Sequence, residues 1–340
     1  MESVAEQVER IRKEWGRRLL ILGHHYQAPE VLRHVDAIGD SLELARRAAS
    51  DKAAERIAFC GVHFMAESAD MLSEPHQAVY MPDTSAGCPM ASMVTADQAA
   101  RAWETLQRNG ADWLPVLYVN STAALKALCG QWGGSICTSS NAARVVEWVL
   151  AQGRRPFFMP DEHLGTNTAS DLGIPDERIA VYDPAKPDGG IAPQALSAAR
   201  IVVWKGYCHV HTAFSLQQVQ DVRERWPGAR IIVHPEAPKE VVRLADAHGS
   251  TSQIIRFVEQ APAGSMTFVG TEARLVHRLA DTHRDRIVKV LTHSVCPNMA
   301  KTTASKLLAL LRDWPEGNRV TVPAEVARDA RQALERMLSL

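Results

Sequence analysis

Arg18-Leu19-Leu20-Ile21-Leu22-Gly23-His24-His25-Tyr26-Gln27 is a short apolar run that stops at a glycine and opens into two histidines and a tyrosine. Residues 18–22 have the length and side chains of a buried strand. Residues 23–27 carry titratable groups where an ordinary turn would need only small or polar ones. The same pattern recurs along the chain. Further strand candidates are residues 57–60, 78–81, 115–119, 135–137, 157–159 and 179–181, then 201–204, 230–233, 266–269 and 287–291. Amphipathic helix patterns fall between many of them, at 42–50, 99–108, 142–152, 215–225, 251–259 and 273–281. Strand–helix alternation predicts an α/β fold with parallel sheets. In such sheets ligands sit outside the carboxyl ends of the strands.

The chemistry-bearing residues lie at those ends. Asp83-Thr84-Ser85-Ala86-Gly87-Cys88-Pro89-Met90 follows one strand, and Tyr118-Val119-Asn120 ends another. Thr138-Ser139-Ser140-Asn141, Tyr207-Cys208-His209-Val210-His211, His234-Pro235-Glu236 and His293-Ser294-Val295-Cys296-Pro297 occupy similar places. Cys88-Pro89-Met90-Ala91 is echoed by Cys296-Pro297-Asn298-Met299-Ala300. Proline after cysteine suits a first helical turn, and a helix start there would favour the thiolate. Residues 182–190, rich in Pro, Gly and Asp, read as a loop or boundary.

Composition narrows the class. Of the 340 residues 46% are hydrophobic, enough for a large core, so a disordered chain is excluded. A formal net charge of −1 gives no sign of a general nucleic-acid or membrane-surface binder. Residues 1–20 read as a charged amphipathic helix, not a secretory signal, and no apolar stretch is long enough to span a bilayer. The expected address is the cytoplasm. The six cysteines, Cys60, Cys88, Cys129, Cys137, Cys208 and Cys296, are widely spaced, which argues against a disulfide framework.

Three thiolates brought together by the fold would suit a [4Fe–4S] cluster with one iron lacking a protein ligand. Zinc held by Cys and His is a rival reading, for which Cys208-x-x-His211 has suitable spacing. Cys60 and Cys137 also end apparent strands, whereas Cys129 sits in a helical run and reads as a core thiol. Ser41, Ser139-Ser140 and Ser250-Thr251 precede or begin helices, where free N–H groups favour anions. His24, His25, Tyr26, His234 and Glu236 can move protons or hold polar groups.

Across almost its whole length the chain resembles the quinolinate synthase family. The resemblance is carried by GHHYQAPEV at 23–31, GDSLELA at 39–45, GVHFMAESADML at 61–72, MPDTSAGCPMA at 81–91, YVNSTAALKA at 118–127 and CTSSNA at 137–142. It continues in FMPDEHLGTN at 158–167, WKGYCHVH at 204–211, VHPEA at 233–237, GST at 249–251, VGTEARLVHRL at 269–279 and VCPNMAKTTASKLL at 295–308. The resemblance implies three similar α/β/α domains with short parallel sheets around a pseudo-threefold axis, the cluster site at the centre. The expected domains cover residues 1–95, 96–205 and 206–340, the last including the C-terminal helices. The chain resembles the longer branch of the family, with the added length between Ser139 and Trp204.

The implied reaction condenses iminoaspartate with dihydroxyacetone phosphate to quinolinate, phosphate and water in de novo NAD biosynthesis. The implied cofactor is a [4Fe–4S] cluster on Cys88, Cys208 and Cys296, with one open iron as Lewis acid. His24, Ser41, Tyr118, Asn120, Ser139, His234, Glu236, Ser250 and Thr251 match substrate-binding positions. Tyr26, Tyr118, Glu236 and His211 match positions near the chemistry, Glu236 being the expected general base. The sequence departs from the commoner His-Tyr-Tyr-Gln at His25. Iminoaspartate is unstable in water, so L-aspartate oxidase or an aspartate dehydrogenase is the implied supplier; transfer by direct contact has no signature in the sequence.

Overall fold

The computed structural model describes residues 2–108 and 112–340. Met1 and residues 109–111, which fall in the first two expected domain ranges, lie outside the described residues. The first sheet contains β1 (Leu19–His24), β2 (Ala37–Gly39), β3 (Arg56–Cys60) and β4 (Ala78–Tyr80). The second contains β5 (Trp113–Tyr118), β6 (Ser135–Cys137), β7 (Arg155–Met159), β8 (Ile179–Tyr182) and β9 (Ile201–Trp204). The third contains β10 (Arg230–Val233), β11 (Ala247–His248), β12 (Met266–Gly270) and β13 (Ile287–Val290). A final short strand, β14 (Arg319–Val320), returns to the first sheet.

Every strand expected from the sequence is present within two residues of its expected bounds. The three that escaped, β2, β11 and β14, have no more than three residues each, too few to show a period. All pairings are parallel except β14 on β4.

One strand order repeats three times: β2-β1-β3-β4, β6-β5-β7-β9 and β11-β10-β12-β13. Each sheet therefore has a switch point beside its first strand, where the connections diverge and a ligand crevice opens. The first sheet adds β14, antiparallel, at the β4 edge, and the second adds β8, parallel, at the β9 edge. Residues 182–190 form a loop as expected, but inside this crossover, because β8 and β9 pair on either side of it. They are not a boundary.

Period-two alternation explains the layering. On β1, Leu20 and Leu22 enter a core shared with the other sheets, while Leu19 and Ile21 enter a second core. That second core is closed by Val8 and Ile11 of the helix Val4–Trp15 and by Leu307, Leu310 and Leu311 of the helix Ala304–Asp313. Each such buried aliphatic side chain contributes about 1.5–3 kcal/mol. Among the described residues no helix is long and apolar enough to cross a membrane.

The helix Ala324–Ser339 packs on the helix Ala123–Gln131 and on β6, tying the chain's end to the second sheet. A Cβ at Gly130 would stand 1.9 Å from the Asp329 carbonyl oxygen. Gly130→Ala is therefore expected to lower the unfolding free energy by about 1–3 kcal/mol. Thermal unfolding reads this out against Gly317→Ala, whose added Cβ meets nothing within 4 Å. Equal midpoints for the two variants would contradict this helix contact.

Candidate active site

Corresponding strands of the three sheets deliver their ends to one cavity. His24 ends β1 and Tyr26 follows it, Tyr118 ends β5 and Asn120 follows it, and His234 and Glu236 follow β10; all six line the same space. The edge strands β2, β6 and β11 lead into helices; Ser41 and Thr251 are the first residues of two of these, Ser139 stands in the loop before the third, Ala142–Ala151, and all three line the cavity as well. Cys88, Cys208 and Cys296 follow β4, β9 and β13 and complete the wall with His211. The cavity and its mouth span about 720 Å³, part of it open to solvent. Of the expected site residues, Ser250 alone does not line it. Its hydroxyl caps the helix Thr251–Glu259, accepting from the Gln253 N–H at 3.4 Å.

Glu236 is buried between three partners. The Tyr118 hydroxyl donates to its Oε1 at 2.5 Å, and His211 Nδ1 lies 2.9 Å from its Oε2. Burial opposes ionisation, but the neighbouring His211 and His234 imidazoles and the bonds from His211 and Tyr118 outweigh it, so the carboxyl stays below its ordinary range. Tyr118 is pushed the other way, by burial first and the adjacent carboxylate second, and remains a neutral donor. Burial pushes His24 and His234 down to about 3 each, so both rings are neutral near pH 7. A neutral His234 contributes little charge to Glu236 there, which leaves His211 and Tyr118 as its main support.

The hydrogen bonds continue beyond this pair. His211 Nε2 lies 3.2 Å from the Thr271 hydroxyl, which lies 2.9 Å from the Tyr26 hydroxyl. Thr251 donates to Tyr26 at 3.2 Å. Asn120 Oδ1 is buried without a hydrogen-bond partner although the residue lines the cavity, an acceptor awaiting a donor from a ligand.

The quinolinate synthetase A protein family profile matches residues 6–339. A protein named quinolinate synthase from Anoxybacillus flavithermus is 46% identical over 349 residues, covering 100% of this chain and 94% of that protein. Those of the same name from Streptomyces coelicolor and Bacillus subtilis are 47% and 46% identical, covering 97% and 100% of this chain and 86% and 94% of their own length. The chain belongs to the quinolinate synthetase A family.

The thiols of this family member divide into two sets. Cys60, Cys129 and Cys137 are buried and do not line the cavity. Cys88, Cys208 and Cys296 are unpaired, line it together, and come from strand ends of three sheets. Backbone N–H groups address each of these sulfurs: Met90 and Ala91 on Cys88, Val210 on Cys208, Asn298 and Met299 on Cys296. N–H groups on sulfur are what an anionic cluster needs, and the donor set is all-thiol, so these residues fit an iron–sulfur group. The expected helix starts after Cys88 and Cys296 are only three-residue 3₁₀ turns, Met90–Ser92 and Met299–Lys301. Burial outweighs their N–H groups and raises all three thiols, so without a metal they stay protonated.

Sequence reasoning missed several members of this quinolinate synthetase site. Phe64, Met65, Met90 and Met299 form an apolar wall, and Asp40 and Thr138 add polar edge. Asp40, not Ser41, is the N-cap of the helix Ser41–Ser50. Asn167 donates to the Pro235 and Ala237 carbonyls at 2.8 and 2.9 Å and so grips the loop on both sides of Glu236. Asp161 caps the helix Glu162–Asp171. Burial first, then the Glu236 charge, pushes its carboxyl well above the ordinary carboxylate range, so two nearby carboxyls are shifted in opposite directions. The substituted position, His25, stays out of the cavity. Its Nδ1 accepts from Arg278 at 3.1 Å and its Nε2 stands 3.6 Å from Glu43, while His24 and Tyr26 keep their places.

Proposed function

We propose that this chain condenses iminoaspartate with dihydroxyacetone phosphate to quinolinate, releasing phosphate and water, in the de novo route to NAD. The observation that carries the reading is the meeting, in one cavity, of three unpaired thiols with the hydrogen-bonded Tyr118–Glu236–His211 group. In this reading Cys88, Cys208 and Cys296 hold a [4Fe–4S] cluster. When bound, that cluster would supply a Lewis acid for the loss of a substrate hydroxyl. The three sheets are then pseudo-threefold related about that centre.

The protein's own groups do the rest. Ser41 and Thr251, at helix starts, and Ser139, in the loop before the helix Ala142–Ala151, take anionic oxygens of the substrates. His24 and His234, neutral by burial, hydrogen-bond to them without adding charge. Asn120 Oδ1 accepts from the substrate nitrogen or a hydroxyl. Glu236, ionised, takes a proton from a substrate carbon, and Tyr118 and His211 hold its two oxygens in place. Tyr26 donates or accepts at the opposite end through its hydroxyl. The reaction has no net change in oxidation state, so it needs no external electron acceptor.

The test is anaerobic iron-replete protein given both substrates, with iminoaspartate formed in the assay. Quinolinate appearing only when both are present supports the reading. Its absence from protein carrying a full complement of iron overturns it.

A second reading has one observation in its favour. Donor atoms of Cys208, His211 and Glu236 lie within 4.8 Å of one another, a set that suits zinc. It would sacrifice the bonds that Tyr118 and His211 make to Glu236 and leave Cys88 and Cys296 unused. Stoichiometric zinc in place of iron would establish it. The proposed address is the cytoplasm, where unpaired thiols persist. Iminoaspartate must reach the site from an enzyme that oxidises aspartate, L-aspartate oxidase being the proposed supplier.

A further inference from the structure

The Asp40 carboxylate joins elements that follow all three sheets. Its Oδ1 accepts the Leu42 and Glu43 N–H groups, each at 3.0 Å, capping the helix that follows β2. Its Oδ2 accepts the Ser140 hydroxyl at 2.6 Å and the Ser252 hydroxyl at 3.0 Å. Ser140 precedes the helix Ala142–Ala151 after β6, and Ser252 lies in the first turn of the helix Thr251–Glu259 after β11. Asp40 itself is 5% exposed.

The neighbours of these residues face the other way. Ser41 adjoins Asp40, Ser139 adjoins Ser140, and Thr251 adjoins Ser252; Ser41, Ser139 and Thr251 line the cavity. Ser140 and Ser252 go to the Asp40 carboxylate while Ser139 and Thr251 go to the cavity, which Asp40 itself also edges. Adjacent hydroxyls at a helix start are chemically interchangeable, so the one that binds Asp40 decides which is left for a ligand. The Ser41 and Ser139 hydroxyls have no hydrogen-bond partner among the described residues. Only an ionised carboxylate can accept from two N–H and two O–H donors at once; an amide offers one acceptor oxygen.

We infer that Asp40 is a positioning residue, which fixes Ser41 and Ser139, whose hydroxyls are left to donate, beside Thr251, whose hydroxyl is given to Tyr26, as one seat for a carboxylate or phosphate group of the substrate. The identity of that substrate rests on the proposed function; the seat does not. Helix N-termini behind the hydroxyls offset the charge of Asp40 and of the bound anion.

The test titrates malate and inorganic phosphate separately into anaerobically purified wild type, Asp40→Ala, Asp40→Asn and the Ser140→Ala/Ser252→Ala double variant, with steady-state kinetics alongside. Asp40→Ala and the double variant are expected to bind one of the two anions about tenfold or more weakly, the loss that misplacing one charge-assisted hydrogen bond gives. KM for the substrate carrying that group rises by a similar factor while kcat stays within about threefold, the mark of lost uniform binding. Asp40→Asn recovers part of the loss, because its amide still bridges the serines with polarity reversed. Weakening confined to malate assigns a carboxylate to the seat, and weakening confined to phosphate assigns the phosphoryl group. Wild-type anion affinity and KM in the double variant overturn the inference, as does a fall in kcat with both unchanged. Wild type that binds neither anion overturns the seat itself. Wild type that binds an anion yet makes no quinolinate removes the proposed reaction and leaves the comparison of variants to decide on Asp40.

Discussion

Glu236→Gln lowers kcat by about 10²–10⁴-fold, the range of a lost general base, in protein that keeps its iron and its thermal midpoint. Glutamine fills the same volume and still offers Oε1 to the Tyr118 hydroxyl, which stands 2.5 Å from that atom in the native chain. It cannot take a proton from carbon. The fold is expected to tolerate the change because removing the charge relieves two neighbours: burial and the Glu236 carboxylate together raise Asp161 and Tyr118. Asn167 continues to grip the Pro235 and Ala237 carbonyls, so the loop keeps its path. Tyr118→Phe is the companion variant. It leaves Glu236 ionised but unsupported on Oε1, and its loss is expected to be smaller than that of Glu236→Gln. Near-normal turnover in iron-replete Glu236→Gln would move the base role to another residue, Tyr26 being next in the hydrogen-bonded chain.

How much of this was readable beforehand follows from where each signal lies. Apolar runs such as residues 201–204 and 231–233 announce strands because burial on both faces leaves no polar position in them. The order in which strands pair is invisible at that level. The threefold recurrence of one order emerges only when β2, β6 and β11 are placed at their edges, and two of those three have no periodicity to detect. At the site, His24, Tyr118, Cys88 and Glu236 stood out because titratable or thiol groups sat at strand ends. Thr271, Asp161 and Asn167 did not, because threonine, aspartate and asparagine at such places are ordinary turn and cap chemistry. Their importance is a matter of distance to residues far along the chain: Thr271 bridges Tyr26 and His211, separated from them by 245 and 60 positions. Burial likewise reversed the expected ionisation of the Cys-Pro thiols. A local rule about helix dipoles cannot foresee how much protein covers the sulfur, nor that the turn after it is too short to be an α-helix.

The cysteines give the sharpest division. Cys88→Ala, Cys208→Ala and Cys296→Ala are each expected to lose nearly all bound iron and, with it, turnover; Cys60→Ala, Cys129→Ala and Cys137→Ala are expected to keep both. All six thiols have burial pushing them above their ordinary range, so burial alone does not separate them. Position and local donors do. The first three share a cavity, and each faces one or two N–H groups from residues two or three positions after it, an arrangement that would hold negative charge on those sulfurs if a metal displaced their protons. Cys60 packs into the core between the first sheet and the helices Val4–Trp15 and Ala304–Asp313, and Cys129 and Cys137 into the large central core. Trimming these removes one buried sulfur and costs about 1 kcal/mol of stability, the size of a typical core truncation at this scale. Iron and sulfide analysis of the six variants, purified without oxygen and compared at equal folded fraction, reads the division directly. If Cys137→Ala lost its iron while Cys296→Ala kept it, the cluster would have to draw on the second sheet in place of the third. The approach of the third sheet to the cavity would then serve the substrate and not the metal.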